Sequence, residues 1–112
     1  MNDILLYIDD IRNPKTDYNW VVLRSSAEAI EYVKKNGMVK YASLDHDLGG
    51  DDTVMIFLKW LIEYDMDHNG QIIPFNFIWN VHSANPVGTQ NIDGLLKNYM
   101  LVKRETTNLF YL

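Results

Sequence analysis

The 112-residue chain has no cysteine, which excludes a disulfide framework, a thiolate metal site and a cysteine nucleophile. Any chemistry must therefore use oxygen and imidazole groups. Long apolar runs are missing too. The longest stretch, Val54 to Ile62, is broken by Lys59 and is far too short to span a bilayer, and Met1-Asn2-Asp3 lacks the basic start of a signal peptide. A soluble, cytoplasmic protein with no membrane partner is expected. Positive charge is scarce: ten Lys and Arg stand against fifteen Asp and Glu, a formal net charge of −5. That sign excludes a broad nucleic-acid surface but leaves room for a small phosphorylated substrate or a single RNA end. Proline and glycine are few, 47% of residues are hydrophobic and 22% charged, so one globular domain over residues 1–112 is expected.

What is present alternates. Ile4 to Ile8 is a continuous apolar run ending at Asp9-Asp10, the pattern of a strand buried on both faces. Arg12 to Asn19 contains Pro14 and is too short for a full helix, and Trp20 to Arg24 is a second strand. Ser25-Ser-Ala-Glu28 is a capping box that opens a helix over 26–36, stopped by Gly37. Tyr41 to Leu44 is a third strand ending at Asp45. A Gly-Gly loop follows, then a helix from about Asp52 to Tyr64, for which Asp51 and Asp52 supply N-cap chemistry. Phe75 to His82 reads as a fourth strand, Gln90 to Tyr99 as a short helix, and Met100 to Lys103 as a fifth strand ahead of the tail Leu109 to Leu112. Strand and helix alternation argues an α/β domain with a mainly parallel five-stranded sheet, whose ligands belong at the carboxyl ends of the strands.

The acids concentrate at those ends. Eleven of the fifteen are Asp, and four lie between Asp45 and Asp52. Strand one ends in Asp9-Asp10, strand three in Asp45-His46-Asp47 and strand four in His82-Ser83. Two carboxylates about 4 Å apart repel by roughly 4 kcal/mol at an effective dielectric near 20. Several together require a proton, a basic side chain or a metal cation. With hard oxygen ligands and no thiolate, Mg²⁺ or Mn²⁺ is the natural occupant of Asp9, Asp10, Asp45 and Asp47. Asp at a strand exit also serves as simple turn chemistry.

The acidic pair after strand one, Asp45 after strand three, Ser83-Ala84 after strand four and Lys103 near strand five together resemble the response-regulator receiver domain, a flavodoxin-like fold. More specifically, Asp9-Asp-Ile-Arg12, Ser43-Leu-Asp-His-Asp-Leu-Gly49 and His82-Ser-Ala-Asn85, with Gly88 and Asn91, look like the cyclic-phosphate-processing receiver-like domains. The resemblance implies that Asp9 and Asp10 are the acidic metal-binding pair, Asp45 the phosphoacceptor position, Ser83 the hydroxyl residue and Lys103 the phosphate-contacting lysine. It implies a cyclic phosphate as substrate, either a cyclic nucleotide or a 2′,3′-cyclic phosphate at an RNA end.

Departures from an ordinary receiver bear on function. No space exists for a full first helix between Asp10 and Trp20, and only nine residues follow Lys103. The two missing helices would cover the same sheet face, leaving apolar surface for the tail, Trp20 or a second copy of the chain to cover, and a homodimer is the expectation. Arg104 stands after Lys103 where a receiver commonly has Pro. The histidines are additions: imidazole titrates near neutrality and can give or take a proton. Strict alternation points His82 and Ser83 to opposite faces, so if Ser83 enters the site His82 must twist in or serve as a core polar group. The same question holds for His46 between Asp45 and Asp47, while His68 reads as a surface residue. Asn85, Gly88, Thr89 and Asn91 form a polar loop whose backbone amides can hold a phosphate at a helix start, and Arg12 can add a bidentate contact.

Asp65-x-Asp67-x-Asn69-Gly70 copies the first half of a calcium-binding loop, but Pro74 interrupts the second half and Asn76 stands where the closing Glu belongs. A polar helix-to-strand turn is the expected identity. The favoured function is a metal-dependent phosphoesterase. Asp9, Asp10 and Asp45 would hold a cation that polarises a phosphoryl group, His82 or His46 would manage the proton, and Ser83, Asn85 and Arg12 would hold phosphate oxygens. The alternative is a divergent receiver-type regulatory module, phosphorylated on Asp45 or not.

Overall fold

The computed structural model describes residues 3–110. The chain runs β1 (Leu5–Ile8), β2 (Trp20–Leu23), α1 (Ser26–Asn36), β3 (Tyr41–Leu44), α2 (Val54–Asp67), β4 (Ile78–Val81) and α3 (Pro86–Phe110). All pairings are parallel, and the sheet order is β2-β1-β3-β4. This is an α/β fold with a parallel sheet, compatible with a receiver-like architecture. No helix of the described residues is long and apolar enough to cross a membrane.

The register explains the layers. Leu6 aligns with Val21 and Ala42, and Ile8 with Leu23 and Leu44, so one face of the sheet is wholly apolar. Buried residues of all three helices, among them Val33, Phe57, Leu61, Ile92 and Met100, join that face in one core. The opposite face carries Tyr7, Trp20, Tyr41, Ser43, Ile78 and Asn80. No helix stands between β1 and β2, as the short connection predicts, and this second face is covered largely by its own aromatic side chains. Tyr7 meets Trp20 edge-on at 5.6 Å, and Trp20 meets Tyr41 at 6.0 Å.

α1 has the bounds read from the sequence. The Ser25 hydroxyl accepts from the Glu28 N–H, Glu28 reaches back to the Arg24 N–H, and Gly37 closes the helix at φ 77°. Three expectations are corrected. Met100 to Lys103 is not a fifth strand but part of α3, a single helix that replaces the expected short helix, strand and tail. Ile92, Leu96, Met100 and Lys103 are buried at helical spacing, while Leu101 and Val102 are 57% and 51% exposed. A 3.6-residue period sustained over three turns outweighs the local strand preference of Met-Leu-Val. Among the described residues the sheet therefore has four strands; Tyr111 and Leu112 of the expected tail lie outside the described residues. Second, β4 is shorter than the expected Phe75 to His82, because the Phe77 N–H is taken by the Pro74 carbonyl in a turn. Third, Asp52 does not cap its own helix. Its carboxylate accepts from the N–H and hydroxyl of Ser26, bracing the start of α1, and α2 begins after Thr53 without a side-chain cap.

Candidate functional site

The site lies one residue beyond the strands. Ladder hydrogen bonds continue past their ends, from Asp9 N–H to Leu23, Asp45 N–H to Ile8 and His82 N–H to Leu44. Because Leu44 pairs with Val81, the same parity places Asp9, Asp45 and His82 on the side away from the helices. Asp9, Asp10 and Asp45 each offer a carboxylate oxygen within 4.8 Å of the others.

Asp9 is fully buried and richly bonded. Its Oδ1 accepts from the N–H groups of Ile11 at 3.0 Å and Arg12 at 2.8 Å. Its Oδ2 accepts from Arg12 Nε at 2.9 Å and His82 Nε2 at 3.0 Å. Burial pushes this carboxyl up, but the two backbone donors, His82 and the Arg12 charge together hold it below the usual carboxylate range. Asp45 moves the other way. Burial and the neighbouring Asp9 charge raise it, against a weaker pull from Arg12, whose second nitrogen lies 3.3 Å from Asp45 Oδ1. The cluster thus holds more negative charge than one half-exposed guanidinium neutralises. Three hard oxygen donors in that space fit Mg²⁺ or Mn²⁺, whose octahedral shell places ligand oxygens about 3–4 Å apart.

His82 enters the site, and Ser83 does not accompany it. The imidazole stacks on Tyr7, with centroids 4.5 Å apart and planes within 9°. Its Nδ1 is hydrogen-bonded to the Ser43 hydroxyl at 2.7 Å, and Ser43 is itself within 3.4 Å of the Asn80 amide. Both ring nitrogens are therefore engaged, Nε2 by the Asp9 carboxylate and Nδ1 by the Ser43 hydroxyl. Ser83 instead accepts from the Asn85 N–H and shapes the loop.

A second cluster adjoins the first. His46 Nδ1 lies 3.1 Å from Asp47 Oδ1, Asn85 Nδ2 donates to Asp47 Oδ2 at 3.3 Å, and Asn85 Oδ1 caps α3 by accepting from the Gly88 N–H at 3.1 Å. Gly88 has a specific cause: a Cβ there would sit 2.5 Å from Cγ of His46, so the ring packs on the first turn of α3 only against glycine. The Asp47 carboxyl is lowered by its hydrogen bonds to His46 and Asn85. Asp47 is exposed and is not one of the three clustered acids, and Asn91 is exposed on α3. At this helix start Pro86 has no N–H and that of Gly88 is taken by its cap, so few amides face outward for an anion.

Lys103 stands elsewhere. It is buried, donating to Asp65 Oδ2 at 2.9 Å and to the Ile73 carbonyl at 2.5 Å. Asp65 also accepts from the N–H groups of Ile72 and Ile73 and from the Tyr99 hydroxyl, closing the turn after α2.

Four residues of the site region were not singled out from the sequence. Tyr7, Ser43 and Asn80 form the bed of His82. Parity from Asp9 and Asp45 along β1 and β3 points to the first two. Arg24 pins the loop after β1, donating from Nη1 to the carbonyls of Asp9 at 3.2 Å and Arg12 at 2.6 Å; only its position at a strand end hinted at this. Tyr7, Arg12, Asn13, Lys15, Ser43, Asn80 and His82 line a cleft of about 370 Å³ on the open face.

No curated protein and no solved structure matches the chain. A family model described as cyclic-phosphate processing receiver domain matches residues 4–98, a span that includes every residue of both clusters and stops ahead of Lys103. With the acidic pair, Asp45 and the His82 loop inside that match, the chain belongs to the cyclic-phosphate processing receiver domain family.

Proposed function

We propose that the chain is a divalent-cation-dependent phosphoesterase acting on a cyclic phosphate. The observation that carries this reading is the meeting of Asp9, Asp10 and Asp45 at one sheet edge beside a guanidinium. Those three residues would hold Mg²⁺ or Mn²⁺, which supplies Lewis acidity toward a phosphoryl oxygen when bound. Arg12 presents a planar fork suited to phosphate oxygens. His46 handles the proton: its Nδ1 faces Asp47, so Nε2 is the nitrogen left to exchange a proton with a leaving or attacking oxygen. His82, with both nitrogens engaged, orients Asp9 in place of the proton-transfer role considered for it above.

The test is hydrolysis of a 2′,3′-cyclic phosphate RNA end and of a cyclic nucleotide, each with Mg²⁺ or Mn²⁺. Turnover of one of them, lost in Asp45→Asn and reduced at least about a hundredfold in His46→Ala, is the expected result. Inactivity of the wild type on both, or full activity of Asp45→Asn, would sink the reading. The regulatory alternative, with Asp45 as phosphoacceptor, is weakened because Lys103 is committed to Asp65.

A further inference from the structure

Asp9 has no unused acceptor position. A carboxylate offers about four lone-pair directions, and Asp9 receives four donors: two backbone N–H groups, the imidazole of His82 and Nε of Arg12. A cation reaches Asp9 only if one of them leaves. The two N–H groups belong to a turn that Arg24 ties down from behind. The imidazole is clamped between Ser43 and the Tyr7 ring. The fourth donor is different. The Arg12 side chain is 49% exposed, and the two oxygens it holds, Asp9 Oδ2 and Asp45 Oδ1, belong to two of the three acids of the cluster. It also borders the open cleft with Lys15 and Asn80, where a guanidinium released from Asp9 has room and polar neighbours.

We propose that Arg12 is the resident counter-cation of the acid cluster, that a divalent cation must displace it from Asp9 and Asp45, and that the displaced guanidinium turns into the cleft to bind phosphoryl oxygens. The inference rests on the cluster holding a divalent cation, as proposed above. Its consequence is coupling. The Nε and Nη2 donors that hold the two carboxylates cannot serve a phosphate at the same time, so cation binding frees this edge of the guanidinium for the anion, and by linkage the anion strengthens cation binding.

Mn²⁺ binding to the full chain, followed by the electron paramagnetic resonance of the free ion, tests this without any turnover. Arg12→Gln is expected to bind Mn²⁺ about tenfold more tightly than the wild type, the size of one lost competing ion pair in a partly buried site. Inorganic phosphate is expected to tighten Mn²⁺ binding in the wild type and to leave Arg12→Gln unchanged. Arg12→Lys keeps the charge without the fork, so its Mn²⁺ affinity is expected between the two and preserves the comparison should the Gln variant fold poorly. Unchanged or weaker Mn²⁺ binding in the Arg12 variants, with binding lost in Asp45→Asn, overturns the displacement while leaving the cation site intact. Equal Mn²⁺ binding by the wild type and Asp45→Asn overturns the cation site and the displacement with it.

Discussion

Among the described residues, Asp9 and Asp65 are the two acidic side chains with no solvent exposure, and they are built alike. Each accepts from two consecutive backbone N–H groups, each has a basic side chain on Oδ2, each takes one more side-chain donor, and both are held below the usual carboxylate range. What separates them is the surroundings. The partner of Asp65, Lys103, is buried under the Phe75 ring and also donates to the Ile73 carbonyl. Asp9 has Asp45 and Asp10 beside it and a partner that reaches solvent. A sealed pair of opposite charges fixes a helix against a turn; an acid-rich pair with a removable cation can bind something else. Burial and hydrogen bonding are alike at the two sites; the acids gathered around Asp9 are what differs.

The sharpest way to break this comparison is Asp65→Asn. It removes the charge of the carboxylate that the buried Lys103 ammonium meets at 2.9 Å and is expected to lower stability by about 3–5 kcal/mol in urea denaturation, with Mn²⁺ affinity unchanged. The corresponding change at the open site, Asp9→Asn, is expected to cost only about 1–3 kcal/mol, because the Asp45 repulsion is relieved at the same time, while Mn²⁺ binding disappears. Equal losses from the two variants would contradict the distinction. Ser43→Ala removes the hydroxyl behind His82 and is expected to cost about 1 kcal/mol. Loss of the hydrogen bond at Nδ1 should also be visible in the ¹⁵N shifts of the ring. The smallest effect has the opposite sign: Asp45→Asn is expected to raise thermal stability by up to about 1 kcal/mol without divalent cation, since burial and Asp9 make its charge unfavourable.

The pH dependence follows the same division. The carboxyls of Asp9 and Asp65 lie lower folded than unfolded, so their contribution is complete above the ordinary carboxylate value of about 3.9 and is lost as pH falls through their folded values. Asp45 lies higher folded than unfolded, so its charge costs stability near neutrality and the cost lifts as it protonates. Urea midpoints measured from pH 7 downward are therefore expected to fall mainly below about pH 4, less steeply in Asp65→Asn.

Much of this was legible in the chain because it depended on local rules. The capping box and Gly37 gave α1 to the residue, and apolar runs ending in Asp placed β1 and β3. The clustering of Asp9, Asp10 and Asp45 followed from parallel strands with their ends at one edge. Parity between strands needs a register, and single-strand reasoning had none, so His82 and Ser83 stayed undecided until Asp45 and His82 were aligned. Lys103 was misplaced for a different reason. Met-Leu-Val looks like a strand in isolation, and the lysine buried one turn beyond Met100 is met by distant groups, the Asp65 carboxylate and the Ile73 carbonyl. The same remoteness concealed Asp52, which braces the helix before it in the chain, and Arg24, whose partners lie across a loop.

α3 joins what the comparison separates. Its first turn carries Gly88 against the His46 ring, and fifteen residues later the same rod carries Lys103 into Asp65, a distance of about 22 Å at 1.5 Å per residue. One helix thus makes both contacts, close packing on an imidazole at its first turn and a buried ion pair near its far end.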